Sequence, residues 1–139
     1  MNARWSCAKR MRVMARTDSS AARRRREAAG RRAETAAALW LQLKGYRILD
    51  RRARMPACEL DLVARKGRML VFVEVKARRT QEIALEAVTP QLRKRLEQAA
   101  NQWVSRRRGL ESHLWRFDIV MLAPGRLPRH MRDAWRAQA

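Results

Sequence analysis

Few residues in this chain could cross-link it or anchor it in a membrane. It has only two cysteines, Cys7 and Cys58, too few for the disulfide framework of a small secreted domain but compatible with a reducing cytoplasm. No apolar run approaches the roughly 18 residues that a membrane span requires, and the N-terminus lacks the apolar core of a secretory signal. The sequence therefore predicts a cytoplasmic protein with no membrane span.

Acidic residues are also scarce, and this imbalance points to anionic partners. The chain has 13 Asp and Glu against 33 Lys and Arg, which gives a formal net charge of +20. Nucleic acid is the first candidate partner because lysine and arginine neutralise phosphates and release their counterions. Only five of the cations are lysine, a bias that a GC-rich genome would also produce, so charge favours nucleic acid without deciding for it.

The length of 139 residues suits one domain. Residues 1–20 contain five cations, one acid and no apolar period, which predicts a basic, disordered tail. We expect residues 21–139 to form the single domain, because 47% of the chain is hydrophobic and the apolar residues cluster.

Apolar periodicity and turn residues predict an α/β domain in the order helix, three strands, helix, strand. The first helix is strong from about Gly30 and ends at Gly45, and the second begins at Thr89–Pro90. A short last element carries Met131 and Trp135. The strands are predicted over residues 46–49, 58–65, 68–76 and 115–122.

The second and third strands carry the residues that could do chemistry. If Lys66–Gly67 is a two-residue turn, Glu59 lies opposite Glu74 and Asp61 opposite Phe72. Side chains alternate between the two faces of a sheet. The polar face then holds Glu59, Asp61, Glu74 and Lys76, and the other, wholly apolar face holds Leu60, Leu62, Val71, Val73 and Val75.

Three carboxylates beside one ammonium group suit metal-dependent phosphodiester hydrolysis. Mg²⁺ prefers oxygen ligands, commonly one or two carboxylates completed by water and substrate phosphate, and Lys76 could position the attacking water or bind the phosphate. The alternative is an exposed sheet face whose Glu and Lys side chains form cross-strand ion pairs. Glu34, on the apolar side of the first helix, is either a further member of the site or half of a buried ion pair with arginine.

Five motifs in order carry a family resemblance. They are Gly30-Arg31-Arg32-Ala33-Glu34, Leu43-Lys44-Gly45-Tyr46, Glu59-Leu60-Asp61-Leu62-Val63-Ala64, Val71-Phe72-Val73-Glu74-Val75-Lys76-Ala77-Arg78 and Arg116-Phe117-Asp118-Ile119-Val120. Over about residues 28–136 the chain resembles the YraN family of small bacterial proteins. That family is similar in turn to the PD-(D/E)xK nuclease superfamily and, within it, to archaeal Holliday-junction resolvases.

The resemblance implies a restriction endonuclease-like core, with a mixed central sheet flanked by helices. It implies that Asp61 and Glu74 are metal ligands, that Lys76 is the catalytic lysine and that Glu34 points at the metal from the first helix. Glu59 is a further candidate ligand. The implied cofactor is Mg²⁺, with Mn²⁺ as an alternative, and the implied substrate is DNA, including branched or damaged DNA.

Basic residues around this core are predicted to contact nucleic acid; they are Arg31, Arg54, Arg78, Lys94, Arg106, Arg107 and Arg108. A homodimer stays open, since a resolvase-like enzyme needs two sites to cut two strands. Two rival functions also stay open: a catalytically inactive nucleic-acid-binding protein that retains the fold, and an adaptor whose basic tail docks on a protein or an anionic membrane.

The remaining reactive side chains are interpreted as structural. His113 and His130 have no partner at metal-ligand spacing and are predicted to lie on the surface. Cys58 has no histidine or second cysteine near it to support thiol chemistry. Arg116 and Asp118, on one strand face, are predicted to form an ion pair.

Overall fold

A computed structural model describes the backbone of residues 3–137 and the side chains of residues 19–137. Contacts divide the chain into two units, Met1–Arg32 and Ala33–Ala139. The first unit is helical, and on its surface Arg23 Nε lies 4.0 Å from Glu27 Oε1, one helical turn away. Whether residues 1–20 form a separate disordered tail stays a prediction, since the side chains of residues 1–18 lie outside the described part.

The first helix, α1 (Ala3–Leu43), is longer than expected, because it passes through Gly30 without a break. It ends where the sequence predicts. Gly45 adopts φ +91°, which favours glycine, and Tyr46 N donates to Leu41 O at 3.0 Å while Gly45 N donates to Gln42 O at 3.0 Å. This pair of bonds satisfies two carbonyls at the helix end and turns the chain into the sheet.

The rest of the chain forms strands and two further helices in the predicted order, with one helix and one strand added. The elements are β1 (Arg47–Arg54), β2 (Glu59–Lys66), β3 (Met69–Ala77), α2 (Gln81–Glu86), α3 (Pro90–Ser105), β4 (Leu114–Leu122) and β5 (Arg129–Trp135). Thr89 caps α3, since its side-chain oxygen accepts from Leu92 N at 3.2 Å. The added elements are α2, which Thr80 caps in the same way, and β5, which the sequence indicated only as a short last element.

The five strands form one mixed sheet in the order β1-β2-β3-β4-β5. Only β3 and β4 pair in parallel, and the other neighbours are antiparallel. The predicted α/β fold with a restriction endonuclease-like core is therefore confirmed. Among the described residues, no helix has both the length and the apolar character needed to cross a membrane.

The β2–β3 hairpin differs from the predicted register. Lys66 pairs with Met69, so the turn is Gly67–Arg68 instead of Lys66–Gly67, and Gly67 has φ +61°. Each residue of β2 from Leu62 to Lys66 therefore pairs two positions further along β3 than predicted, and this regular pairing stops at Leu62, before Asp61. A shift of two residues leaves the side chains of this paired stretch on their predicted faces.

Both faces of the sheet are buried. One face packs on α1 in a cluster formed by Ala37, Ala38, Leu41, Tyr46, Leu62, Ala64, Val71, Val73, Val75 and Val120. The other packs on α3 through Leu96, Ala99, Ala100 and Trp103. Leu60 belongs to the α3 cluster and not, as predicted, to the face of Leu62, because the regular β2–β3 pairing begins only at Leu62. The alternative of an exposed sheet face does not hold for Glu74, which is buried among apolar side chains that include Leu60, Phe72 and Leu96.

Candidate metal centre

Four carboxylates gather where β2 begins and β3 ends. Oxygens of Glu34, Glu59 and Asp61 all lie within 4.8 Å of one another, and the Glu74 carboxyl group adjoins that of Asp61. Glu34 and Glu74 are 8% and 6% exposed, Asp61 is half-buried and Glu59 is exposed. The structure thus brings together the acids that the sequence predicted, and it does so at a partly buried position.

Asp61 is held in place by the backbone of the neighbouring strand. Val75 N donates to Asp61 Oδ2 at 2.9 Å, in the stretch where β2 and β3 have left regular pairing. Burial and the adjacent Glu74 nevertheless raise the pKa of Asp61 to about 8. Without a cation, Asp61 therefore strongly resists ionisation.

Glu74 and Lys76 form the second half of the site. Burial raises the pKa of Glu74, and the Lys76 ammonium group opposes that rise. Lys76 Nζ lies 3.2 Å from Glu74 Oε1, and the Lys76 side chain is 21% exposed. Strand alternation places both side chains on one face, so the lysine lies beside the carboxylates and still reaches solvent.

Glu34 forms an ion pair with an arginine, which is one of the two arrangements that the sequence left open. Arg52 Nε donates to Glu34 Oε2 in a short ion pair, so the predicted alternative of a buried pair with arginine is present. Arg52 has φ +51° inside β1, a left-handed conformation that costs roughly 1–2 kcal/mol for a residue with a side chain. No sequence pattern indicated this role, because Arg52 is one of four arginines in β1.

The donor set fits a hard divalent cation. All four groups offer oxygen, the ligand type that Mg²⁺ and Mn²⁺ accept. Oxygens within 4.8 Å of one another would have to draw closer to coordinate one ion at Mg–O distances of about 2.0–2.1 Å. A cation there would relieve the repulsion that raises the pKa of Asp61.

The predicted nucleic-acid contacts within the second unit lie at different places on the domain. Arg54 is exposed and its Nε lies 3.9 Å from Glu59 Oε2, and Arg78 is exposed two residues beyond Lys76. Lys94 is exposed near the N-terminal end of α3, beside a groove that Arg93 and Trp135 also line.

Arg106, Arg107 and Arg108 lie at the opposite end of α3, where β3 and β4 begin, and are therefore remote from the carboxylates. Arg31 belongs to the first unit.

The described residues form a second buried polar cluster, of which the sequence predicted only the ion pair. Asp118 is fully buried and accepts from Arg116 Nε and Nη2, each at 2.8 Å, which confirms the predicted ion pair. His130 Nε2 lies 2.6 Å from Asp118 Oδ2, and its Nδ1 lies 2.8 Å from Lys44 Nζ. Although burial raises the pKa of Asp118, the bonds from His130 and Arg116 hold it below its usual value.

The prediction that His130 lies on the surface is wrong. Its side chain is 1% exposed, because β5 pairs with β4 and places His130 opposite Val120, within reach of the buried Asp118. The sequence offered no signal, since β5 has little apolar alternation. His113 is half-buried. Cys58 is half-buried, and burial followed by the nearby Glu74 raises the pKa of its thiol, which agrees with a structural interpretation.

The chain matches a known sequence family over most of its folded part. Residues 33–122 match the description "Uncharacterised protein family UPF0102". The chain belongs to the UPF0102 family. This confirms the resemblance to the YraN family, which is the same family.

Among UPF0102 relatives, the chain is 54% identical to a protein of Caulobacter vibrioides over 106 residues, which is 76% of this chain and 85% of the relative. It is 52% identical to one of Maricaulis maris over 106 residues, 76% of this chain and 84% of the relative. It is 45% identical to one of Rhizobium johnstonii over 122 residues, 88% of this chain and all of the relative. The matched family segment contains Glu34, Asp61, Glu74 and Lys76, but ends before His130.

Proposed function

We propose that this UPF0102 protein is a divalent-metal-dependent endonuclease that hydrolyses phosphodiester bonds, with DNA as its substrate. The observation that carries the proposal is the cluster of oxygens from Glu34, Glu59 and Asp61 within 4.8 Å, joined by Glu74 and by Lys76 at 3.2 Å from it. Carboxylates beside a lysine at a partly buried position are what metal-assisted phosphoryl transfer requires.

Each residue of the cluster has a role that follows from its position. Asp61 and Glu74 would hold Mg²⁺ or Mn²⁺, with Glu34 and Glu59 as supporting ligands. When bound, the ion supplies charge neutralisation at phosphorus and activation of water. The Lys76 ammonium group orients the water or binds a non-bridging phosphate oxygen, and it stabilises negative charge that develops there. The backbone N–H of Val75 keeps Asp61 oriented through its 2.9 Å bond.

The charge of the chain supports an anionic substrate. The net charge of +20 would attract a polyanion over distances comparable to the screening length, about 8 Å at physiological salt. Exposed Arg54, whose Nε lies 3.9 Å from Glu59 Oε2, and exposed Arg78, two residues beyond Lys76, would contact phosphates near the cut.

A second candidate is a nucleic-acid-binding protein without catalysis. The ion pair between Arg52 and Glu34 favours it, because an arginine already neutralises the carboxylate that the first helix contributes. This candidate predicts binding that needs no divalent ion and survives Asp61→Asn.

Cleavage of labelled DNA separates the two candidates. The protein is incubated with single-stranded, duplex, flap and four-way-junction DNA in Mg²⁺, Mn²⁺ or EDTA, beside Asp61→Asn. Glu86→Gln is the matched control, since it neutralises an exposed acid of α2 outside the cluster. We expect metal-dependent cutting by wild type and Glu86→Gln only. Binding without cutting in every metal condition would refute the nuclease and favour the second candidate.

A further inference from the structure

A pocket of about 430 Å³ lies at the C-terminal end of α3, apart from the carboxylates. Four arginines and three apolar side chains line it; they are Arg65, Arg106, Arg107, Arg108, Leu49, Trp103 and Leu110. Arg65 comes from β2, whereas the other three arginines follow one another where α3 ends. The pocket is thus assembled from separate parts of the chain.

Among the described residues, only one acid is hydrogen-bonded to side chains that line the pocket, and two of those side chains share its carboxylate. Asp50 Oδ2 accepts from Arg107 Nη2 at 2.9 Å and from Trp103 Nε1 at 3.0 Å. Among residues 19–137, no ion pair joins Arg65, Arg106 or Arg108 to a carboxylate. Three guanidinium groups therefore remain available for an external anion.

The helix end alone does not account for this arrangement. Cations near a helix C-terminus are favoured by the helix dipole, which would explain Arg106–Arg108 without a ligand. Arg65 is half-buried on a strand and gains nothing from that dipole, although its charge lies in the same pocket. Its charge joins three like charges that share one described carboxylate, Asp50, and their repulsion favours a further anion in the pocket.

One of the arginines presents a flat surface. Arg107 Cζ lies 4.1 Å from the centre of the Trp103 ring, so the guanidinium group lies over a tryptophan that is only 1% exposed. Asp50 fixes its orientation. A planar cation held in this way offers its outer face to a nucleobase, and Leu49 and Leu110 supply apolar walls.

We propose that this pocket binds the sugar–phosphate backbone of a nucleic acid strand together with an unstacked base on Arg107. The proposal deepens the proposed function and rests on it for the identity of the polyanion. Arg65 and Asp61 are four residues apart on β2, which is roughly 13 Å at about 3.3 Å per residue. A strand that advances at least the 3.4 Å per nucleotide of stacked DNA reaches from the carboxylates to the pocket within about four nucleotides.

Oligonucleotide binding in EDTA tests the pocket without any catalysis. Arg65→Gln/Arg108→Gln is compared with Arg132→Gln/Arg136→Gln, which removes the same charge from Arg132 in β5, at the far edge of the sheet, and from Arg136 just after that strand. Fluorescence anisotropy with a labelled 20-nucleotide single strand is measured over a salt series. Each lost phosphate contact lowers the salt slope by about 0.7 for single strands, so the pocket variant should lose about 1.4, or about 25-fold in affinity at 0.1 M salt.

Equal losses of affinity in both double variants would refute the pocket as a binding site and would attribute the binding to overall charge alone. An oligoglutamate of matched charge that competes as well as unlabelled DNA would overturn the assignment to nucleic acid. Should the pocket variant fail to fold, arginine modification by phenylglyoxal on the wild type decides: DNA must protect Arg106 and Arg108 more than Arg132. Absence of cleavage elsewhere would refute the nuclease but not this binding, so the two proposals fail separately.

Discussion

Neutralising Asp61 should stabilise the metal-free protein while it abolishes catalysis. Burial beside Glu74 raises the pKa of Asp61 from 3.8 to about 8. A raised folded-state pKa gives a stability contribution that is complete below pH 3.8 and is lost as the pH rises toward 8. Asp61→Asn removes that loss, and the asparagine oxygen can still accept from Val75 N.

The magnitude follows from the pH interval. Between pH 5 and pH 7, both inside the window from 3.8 to about 8, each pH unit costs the wild type up to about 1.4 kcal/mol in the free energy of unfolding. The variant should therefore gain up to about 2.7 kcal/mol relative to wild type over this interval. At roughly 3 °C per kcal/mol for a chain of this size, the difference in Tm should grow by up to about 8 °C.

Thermal unfolding in EDTA at pH 5 and pH 7 measures this effect, with Glu86→Gln as the exposed-acid control. Added Mg²⁺ should stabilise the wild type at pH 7 more than the variant, because a cation favours the ionised carboxylates. A Tm difference between Asp61→Asn and wild type that is the same at both pH values would refute the assigned environment of Asp61.

Three further variants test the surroundings of the site. Lys76→Ala should lower the cleavage rate by about 10²–10³-fold in single-turnover assays while oligonucleotide binding in EDTA stays within threefold; an unchanged rate would contradict its role. Asp118→Asn should cost about 3–5 kcal/mol in urea unfolding, since it leaves the Arg116 charge without its buried partner, and a loss below 1 kcal/mol would be inconsistent with that network. Arg52→Gly should be more stable than Arg52→Ala by about 1 kcal/mol, because both lose the ion pair but only glycine adopts φ +51° freely; chemical denaturation of the two variants compares them.

The sequence predicted which acids lie together more accurately than the details of the strands that carry them. Strand alternation places Glu74 and Lys76 on one face whichever turn is chosen, whereas Asp61 lies beyond the regular pairing of β2 with β3. The exact turn could not be predicted, because Lys66–Gly67 and Gly67–Arg68 both place a glycine in the turn. Helix α2 was missed because its six residues are too few to show a helical period.

Contacts between distant residues were the least predictable. Arg52 reaches Glu34 only because β1 carries an irregular, left-handed residue, and no local pattern marks it among the neighbouring arginines. His130 became buried through the pairing of β5 with β4, which depends on tertiary structure. The ion pair of Arg116 and Asp118 was predicted because both residues share one strand face and lie two positions apart.

The outermost strands of the sheet also bear on how two copies of the chain would meet. β1 carries four arginines, Arg47, Arg51, Arg52 and Arg54, and β5 carries Arg129 and Arg132. Edge strands rich in like charge repel a second sheet edge and so resist aggregation. Part of the positive charge that suggested nucleic acid therefore also disfavours the association of two copies through these sheet edges. Raising the salt to about 1 M shortens the screening length to about 3 Å, and there we expect the sheet edges to begin to associate, which light scattering over a salt series would detect.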